Sequence, residues 1–312
     1  MPRPTPSDSA PHRAPWVGAI VTAFAPEDGL PAAVETIASQ VDLVVVVDDG
    51  SPVEHAAATD RVLDACARLG ALVVRHDENR GIGAALNSGL DAVLARAPEA
   101  ASGHGPFVLT LDQDSTLPPG YVGALVAAAQ DAAAAGVDVG MVGPSSATGI
   151  RSSVRRREGT VVHGKEPIQS GLLLPLDAVR LLGPFAADLF IDGVDTEYYL
   201  RARAKGLAVL VAPDAVLDHR LGRQHEVRLG SRRLSLTVAA EYRYYYQHRN
   251  LVVLLRRYAR REPAWAVGAV GKAIRHLVVT TVFVPGRARR SRLVVRGLRD
   301  GFRGVGGRMS SS

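Results

Sequence analysis

The chain has 312 residues, 47% of them hydrophobic and 22% charged, a globular composition with enough apolar material for an α/β domain carrying an appendage. That excludes wholesale disorder, a collagen-like repeat and a disulfide scaffold, and the single Cys66 forms neither an internal bridge nor a zinc cluster, which fits a reducing compartment. The net charge of +6 conceals an asymmetry, because residues 256–312 hold 14 Lys and Arg against Glu262 and Asp300, a net +12, leaving −6 on the rest.

Residues 1–15, with five prolines among Ser, Thr and Asp, read as a disordered leader without the apolar core of a secretory signal. From Trp16 short apolar runs alternate with helical stretches. Strands are predicted at 17–24, 43–47, 71–75 and 107–111, and helices at 30–40, 53–69 and 82–95. That alternation argues βαβ units and a parallel sheet. Beyond it the pattern predicts a helix at 121–135, a strand at 139–142, a basic loop at 150–165 (RSSVRRREG) and an apolar run at 171–174. Short helices at 177–182 and 196–205, each closed by glycine, precede a last strand at 208–211. From Glu241 the chain reads as helical and increasingly basic. The apolar stretch 265–284 is interrupted by Lys272, Arg275 and His276, so the expectation is a soluble chain without a membrane span.

In open α/β sheets ligands bind beyond the carboxyl ends of the strands, and three segments put polar groups there. Val44–Val47 runs into Asp48-Asp49-Gly50-Ser51, and the strand at 107–111 runs into Asp112-Gln113-Asp114-Ser115. Between them Asn79-Arg80-Gly81-Ile82-Gly83 links strand to helix. As residues alone, Asp112-x-Asp114 fits either a polar turn or a site for a hard divalent cation, which relieves the repulsion between two carboxylates and bridges a diphosphate. Asp48 and Asp49 likewise fit a turn or a hydrogen bond to a nucleobase or ribose. Gly81-x-Gly83 lacks the third glycine of a dinucleotide fingerprint, since Leu86 stands there, which removes the main support for a nicotinamide enzyme.

Taken in order, VVVVDDGS, NRGIGAALNSGL and LTLDQDS resemble the inverting family 2 glycosyltransferases of GT-A fold, a Rossmann-like, mostly parallel sheet flanked by helices. LDQDS followed by FIDGVDTEYYLRARAKG and YYYQHRN is most similar to the bacterial rhamnosyltransferase branch. The resemblance runs from about Val17 to Tyr258. It implies a GT-A domain at 16–240, with a nucleotide-sugar half at 16–118 and an acceptor half at 119–240, followed by a basic helical region at 241–312. It further implies that Thr22 and Asp48 or Asp49 contact base and ribose, with Arg80 near the base or diphosphate. Asp114 would ligate Mg2+ or Mn2+, Asp112 would sit nearer the ribose, and His219, in VLDHRLG, would complete the metal site.

Inverting transfer needs a carboxylate to deprotonate the acceptor hydroxyl. Asp188, Asp192, Asp195 and Glu197 cluster before a helix, where one or two acids are ordinary capping. The family opens this helix with Glu-Asp and places an Arg six residues on. Here Val194-Asp195 and Arg201 stand at those positions, so the Glu is missing. Asp195 is the expected base, ionised and with its pKa held down by the helix N-terminus; Asp192 is the reserve. Gln169-Ser170-Gly171 resembles the acceptor-side loop, its glycine giving a sugar close approach.

The resemblance therefore implies a metal-dependent transferase using a nucleotide-diphosphate sugar, dTDP-L-rhamnose, and a glycan or polyprenyl-diphosphate-linked acceptor in cell-surface polysaccharide synthesis. UDP-galactofuranose, a UDP-hexose, or a catalytically weak nucleotide-sugar-binding subunit are the alternatives. The tail, with Tyr242, Tyr244, Tyr245, Tyr246 and Arg249 leading into the arginines, suits a cytoplasmic enzyme held peripherally on the inner face of the cell membrane. Nucleic acid is disfavoured because the body is acidic. Val278, Val279, Val282 and Phe283 leave a core contact or a homo-oligomer interface open. No assigned site residue lies beyond Tyr258, so trimming there is expected to spare nucleotide and metal binding.

Overall fold

The computed structural model describes residues 15–99, 105–147, 150–151, 154–217, 224–229, 232–237 and 240–310. In chain order the elements are β1 (Val17–Ala23), α1 (Leu30–Ala38), β2 (Leu43–Asp48), α2 (Ala56–Arg68), β3 (Leu72–Arg75), α3 (Ile82–Leu94), β4 (Phe107–Asp112), α4 (Tyr121–Ala134), β5 (Val139–Ala147), β6 (Ile150–Arg151), β7 (Val154–Glu158), β8 (Val161–Gly164), β9 (Leu172–Pro175), α5 (Leu176–Leu182), α6 (Val194–Ala204), β10 (Ala208–Leu217), β11 (Gln224–Leu229), β12 (Arg232–Thr237), α7 (Arg243–Tyr258), α8 (Pro263–Phe283) and α9 (Arg287–Arg303).

The first four strands pair in parallel in the order β3-β2-β1-β4. Strand side chains alternate between faces, and the valine run of β2 divides accordingly. Val44 and Val46 join the core under α1, α2 and α4. Val45 and Val47 join the core under α3, α5, α6 and the end of α7. Both faces are covered, which is why these strands carry unbroken aliphatic runs.

The parallel expectation stops at β4. β9 lies antiparallel between β4 and β5, and β10 pairs in parallel with β5. The expected basic loop at 150–165 is instead β6 and the β7–β8 hairpin. β7, Val-Arg-Arg-Arg-Glu, is exposed along its whole length. It is the outer strand of the sheet, and an edge needs backbone pairing but no apolar face, so alternation gives no sign of it. The strand at 208–211 extends to Leu217 and is followed by the antiparallel pair β11–β12, so it is not the last.

Helices follow the sheet from α7 onward, and α7 is a core element. Its Tyr244, Tyr245, Tyr246, Arg249 and Asn250 are all buried. α9 lies directly on the α7 backbone: a Cβ at Gly297 would stand 2.4 Å from the Tyr245 carbonyl oxygen, and one at Gly301 2.7 Å from that of Arg249. Residues beyond Tyr258 thus pack on a buried helix of the fold, a contact the sequence reading did not foresee. α8 runs unbroken through Lys272 and Arg275. By length and composition it is long and apolar enough to cross a membrane, and only 11% of its most apolar stretch is buried.

Candidate active site

Three polar residues stand at the carboxyl ends of neighbouring strands. Thr22 on β1 pairs in register with Val47 on one side and Asp112 on the other, and Ala23 pairs with Asp48. Adjacent strands lie about 4.8 Å apart, so Thr22 and Asp112 stand side by side in a row with Val47, and Asp48 lies one residue beyond that row at the end of β2. Thr22 is buried and donates to the Leu111 carbonyl at 3.4 Å.

Asp48 and Asp49 are both buried and build the loops around this row. Asp48 accepts from the Ser51 backbone N–H at 3.2 Å, the Ser51 hydroxyl at 2.5 Å and Arg75 Nε at 3.2 Å. Asp49 accepts from Arg80 N at 3.0 Å and Gly81 N at 2.8 Å, and pairs with His76 Nδ1 at 2.8 Å. A carboxylate has about four lone-pair sites, so each retains room for one more donor. The turn held by Asp49 presents the Arg80 side chain to solvent.

Asp112 is half-buried at the end of β4 and Asp114 is exposed. The intervening Gln113 accepts from Phe24 N at 2.8 Å, fastening this turn to the end of β1. The Ser170 hydroxyl accepts from Asp112 N at 3.2 Å and meets the Ser115 hydroxyl at 2.6 Å. Gln169 lies in the same loop, its amide nitrogen buried without a hydrogen-bond partner. Gly171 is required for a different reason from the one expected. At φ +81°, its missing Cβ would fall 2.3 Å from the Tyr121 hydroxyl and 2.8 Å from Leu217 Cδ2. Packing, not the approach of a sugar, fills that space, and the Tyr121 hydroxyl donates to the Gly171 carbonyl at 2.8 Å.

Among the described residues no three Asp, Glu, His or Cys side chains already converge as a metal cage. His219 lies outside the described residues. The Asp112 and Asp114 donor set nevertheless fits Mg2+ or Mn2+, which take one or two protein carboxylates and complete their shell with water and phosphate oxygens.

The loop before α6 carries the four acids, and arginines engage three of them. Asp188 pairs with Arg257 at 2.7 Å, Asp192 pairs with Arg243 at 2.5 Å, and Glu197 pairs with Arg201. Arg243 grips Asp192 through both Nε and Nη2. Asp195 has no cationic partner among the described residues. Its carboxylate accepts from Thr196 N at 2.8 Å, the helix-start interaction expected to lower its pKa. Burial outweighs that, with Glu166 and Asp192 adding repulsion, and the pKa is pushed up to about 6. The sequence expectation had the wrong sign.

Arg201 is drawn away from this group. Besides Glu197 it donates to the Leu182 carbonyl at 2.9 Å and that of Pro184 at 2.6 Å, closing the end of α5. Two contacts connect the acid loop with the strand-end row. Ile82 N donates to the Phe190 carbonyl at 2.8 Å, beside the turn that Asp49 holds. Loop 165–171 touches both groups, since Ser170 binds Asp112 and Glu166 accepts from the Thr196 hydroxyl. Sequence reasoning missed His76, Glu166 and Arg243. His76 had a signal, its place just past the end of β3; the other two are set by tertiary contacts.

Residues 19–179, just over half of the chain, match the family model described as glycosyl transferase family 2. The chain belongs to that family. Over 110 residues this glycosyltransferase is 31% identical to the dTDP-rhamnosyl transferase RfbF of Shigella flexneri, a match spanning 35% of this chain and 36% of that relative. Its fold is similar to that of mannosyltransferase PcManGT from Pyrobaculum calidifontis in complex with GDP-Man and Mn2+, with TM-score 0.54 and 18% identity over 96% of this chain and 90% of that one. It is also similar to GalNAc-T7 with UDP, GalNAc and Mn2+, with TM-score 0.53 and 13% identity over 67% and 44% of the two chains. The glycosyltransferase therefore has the GT-A fold, with a mixed sheet flanked by helices and three further helices at its C-terminal end.

Proposed function

We propose that this enzyme transfers L-rhamnose from dTDP-L-rhamnose, with inversion, to a glycan or polyprenyl-diphosphate-linked acceptor on the cytoplasmic face of the cell membrane, in cell-surface polysaccharide synthesis. The observation that carries the mechanism is the pairing pattern of the acid loop: among the described residues no cation forms an ion pair with Asp195, and burial raises its pKa to about 6. An ionised carboxylate with that pKa is a better proton acceptor at neutral pH than an ordinary one. Asp192, gripped by Arg243, is a poorer base.

In this reading Thr22, Asp48 and Asp49 receive the base and ribose, and Arg80 meets the diphosphate. Asp114, with Asp112 beside the ribose, would hold a divalent cation, which would supply charge compensation for the nucleoside diphosphate. Gln169 supplies its buried N–H to an acceptor hydroxyl. Asp195 takes the proton from the attacking hydroxyl, whose oxygen bonds to the anomeric carbon on the face opposite the diphosphate. The old C–O bond breaks and its electron pair leaves with the diphosphate. Rhamnose is favoured by the similarity to the dTDP-rhamnosyl transferase.

The test is donor hydrolysis and transfer with dTDP-rhamnose, UDP-galactofuranose, UDP-glucose and GDP-mannose, each with Mn2+ and with EDTA. Turnover confined to dTDP-rhamnose and abolished by EDTA or Asp114→Ala supports the reading; preference for a UDP- or GDP-sugar overturns the donor assignment. A severe Asp192→Asn beside a mild Asp195→Asn overturns the base.

A further inference from the structure

The sequence presented the tail as a source of positive charge, but its least explained feature is apolar. On α8, Val267, Val270, Ile274, Val278 and Val282 are 76%, 36%, 58%, 56% and 65% exposed. Their spacing of three or four residues puts them on one face. Ala266 and Thr280, on another face, are buried in the fold. An aliphatic stripe running the length of a six-turn helix is more than a monomer in water normally exposes. Lys272 and Arg275 stand exposed along its edge. On α9, exposed Val295 and Phe302 alternate with exposed Arg292 and Arg299 on one face.

Not every tail cation is available for a partner. Arg249 and Arg290 are buried, Arg290 donating to the carbonyls of Thr280 and Pro285 at 2.8 Å each. That pair of bonds clamps the end of α8 to α9. Three occupants compete for the stripe. A second copy packed on it would bring Lys272 and Arg275 of both chains together, with the α9 arginines adding to the repulsion. A membrane crossing is allowed by length, since 21 residues span about 32 Å against a bilayer core of about 30 Å. It would, however, place Lys272 and Arg275 at the centre of the hydrocarbon, where a charge is most costly, and would pull the clamped end away from α9. An anionic bilayer surface suits both the aliphatic face and the charges beside it.

We propose that α8 is an in-plane membrane anchor: it lies on an anionic bilayer with its aliphatic stripe in the headgroup–acyl boundary, while Lys272, Arg275 and the outer arginines of α9 meet the headgroups. This rests on the reading that the enzyme works at a membrane face, and adds that apolar insertion, not charge alone, holds it there.

The experiment uses the full chain and vesicles of phosphatidylcholine, with and without phosphatidylglycerol. Wild type, Ile274→Gln/Val278→Gln and Arg292→Gln/Arg299→Gln are compared by co-sedimentation, with donor hydrolysis in solution as the check that the fold is intact. Wild type is expected to favour the anionic vesicles and to be released by alkaline carbonate. The stripe variant should lose about tenfold or more in vesicle binding while hydrolysing donor normally. If the stripe variant binds like wild type and only the arginine variant weakens, insertion is refuted and a purely electrostatic membrane contact survives. If wild type binds neither vesicle, the membrane reading falls as well. Resistance to carbonate overturns the in-plane geometry in favour of a span. A dimer by light scattering that becomes monomeric in the stripe variant, with vesicle binding unchanged, assigns the stripe to a second copy.

Discussion

Replacing Asp195 with Asn removes the proposed base and also a charge that the folded protein holds at a cost. The carboxyl is raised from 3.8 to about 6 on folding. A group whose pKa rises on folding contributes stability that is full below its unfolded pKa and lost as pH climbs through the folded one. At pH 8 the ionised carboxylate therefore weakens the fold by about 3 kcal/mol, from roughly two pKa units at about 1.4 kcal/mol each. Asparagine keeps the shape without the charge. Asp195→Asn should therefore melt higher than wild type at pH 8, by about 3–5 °C for a chain of this length, while turnover falls by about a hundredfold or more. The gap should shrink by about half at pH 5, as the wild-type carboxyl takes up its proton. Calorimetry or dye-based melting of both proteins between pH 4.5 and 8.5 reads this directly. An equal or lower melting point for the variant at pH 8, or a gap independent of pH, would refute the raised pKa of this carboxylate.

Arg243→Gln should move the acid limb of the kcat/KM profile above about 6, because Asp195 loses a nearby cation and faces an unmasked Asp192; Arg243→Lys should restore part of the shift, and an unmoved limb would separate Arg243 from the base. Gly171→Ala should cost about 2–4 kcal/mol through left-handed strain and overpacking against Tyr121, seen as a lower denaturation midpoint, and adding Tyr121→Phe should recover only part of it. A chain ended after Tyr258 should fail to yield active protein, since it loses the α9 surface on which α7 packs; a soluble fragment that still hydrolyses donor would show that the last helices are dispensable.

The parallel strands β1 to β4 were legible because their signals are local. Each strand is a short aliphatic run closed by polar or turn-forming residues, and register alone sets Thr22 beside Asp112 with Asp48 one residue further on. What was missed depends on distant partners. Arg243 reaches Asp192 across 51 residues and Glu166 reaches Thr196 across 30, and neither separation leaves a pattern in sequence. The Asp195 pKa failed for the same reason: the helix-start N–H could be read from sequence, whereas the burial and the two neighbouring acids could not. The aromatic-basic stretch before the tail resembled an exposed adhesive surface, yet Tyr244, Tyr245 and Tyr246 are buried, with Tyr246 stacked on Phe190 at 5.0 Å between ring centroids, and only Tyr242 of the four stays exposed. β7 was illegible because an edge strand with charges on both faces has no period to detect.

Arg249 fixes the order in which this molecule can be completed. Its guanidinium donates to the Leu189 carbonyl at 2.7 Å and the Gly307 carbonyl at 2.5 Å, and Gly307 N in turn donates to the Asp188 carbonyl at 2.7 Å. The loop bearing the proposed base is thus tied to residues 58 to 61 positions away in α7, and through α7 to a turn 58 positions later still. Contacts of such long sequence separation form late, after the local βα units have assembled. During synthesis the β1–β4 units can acquire their structure while the acid loop is still unfastened, and that loop is expected to be fixed only once the turn at Gly307 has been made. A ribosome-stalled or clipped product would then bind a nucleotide sugar without turning it over. Refolding followed by both nucleotide binding and turnover should show the second lagging the first.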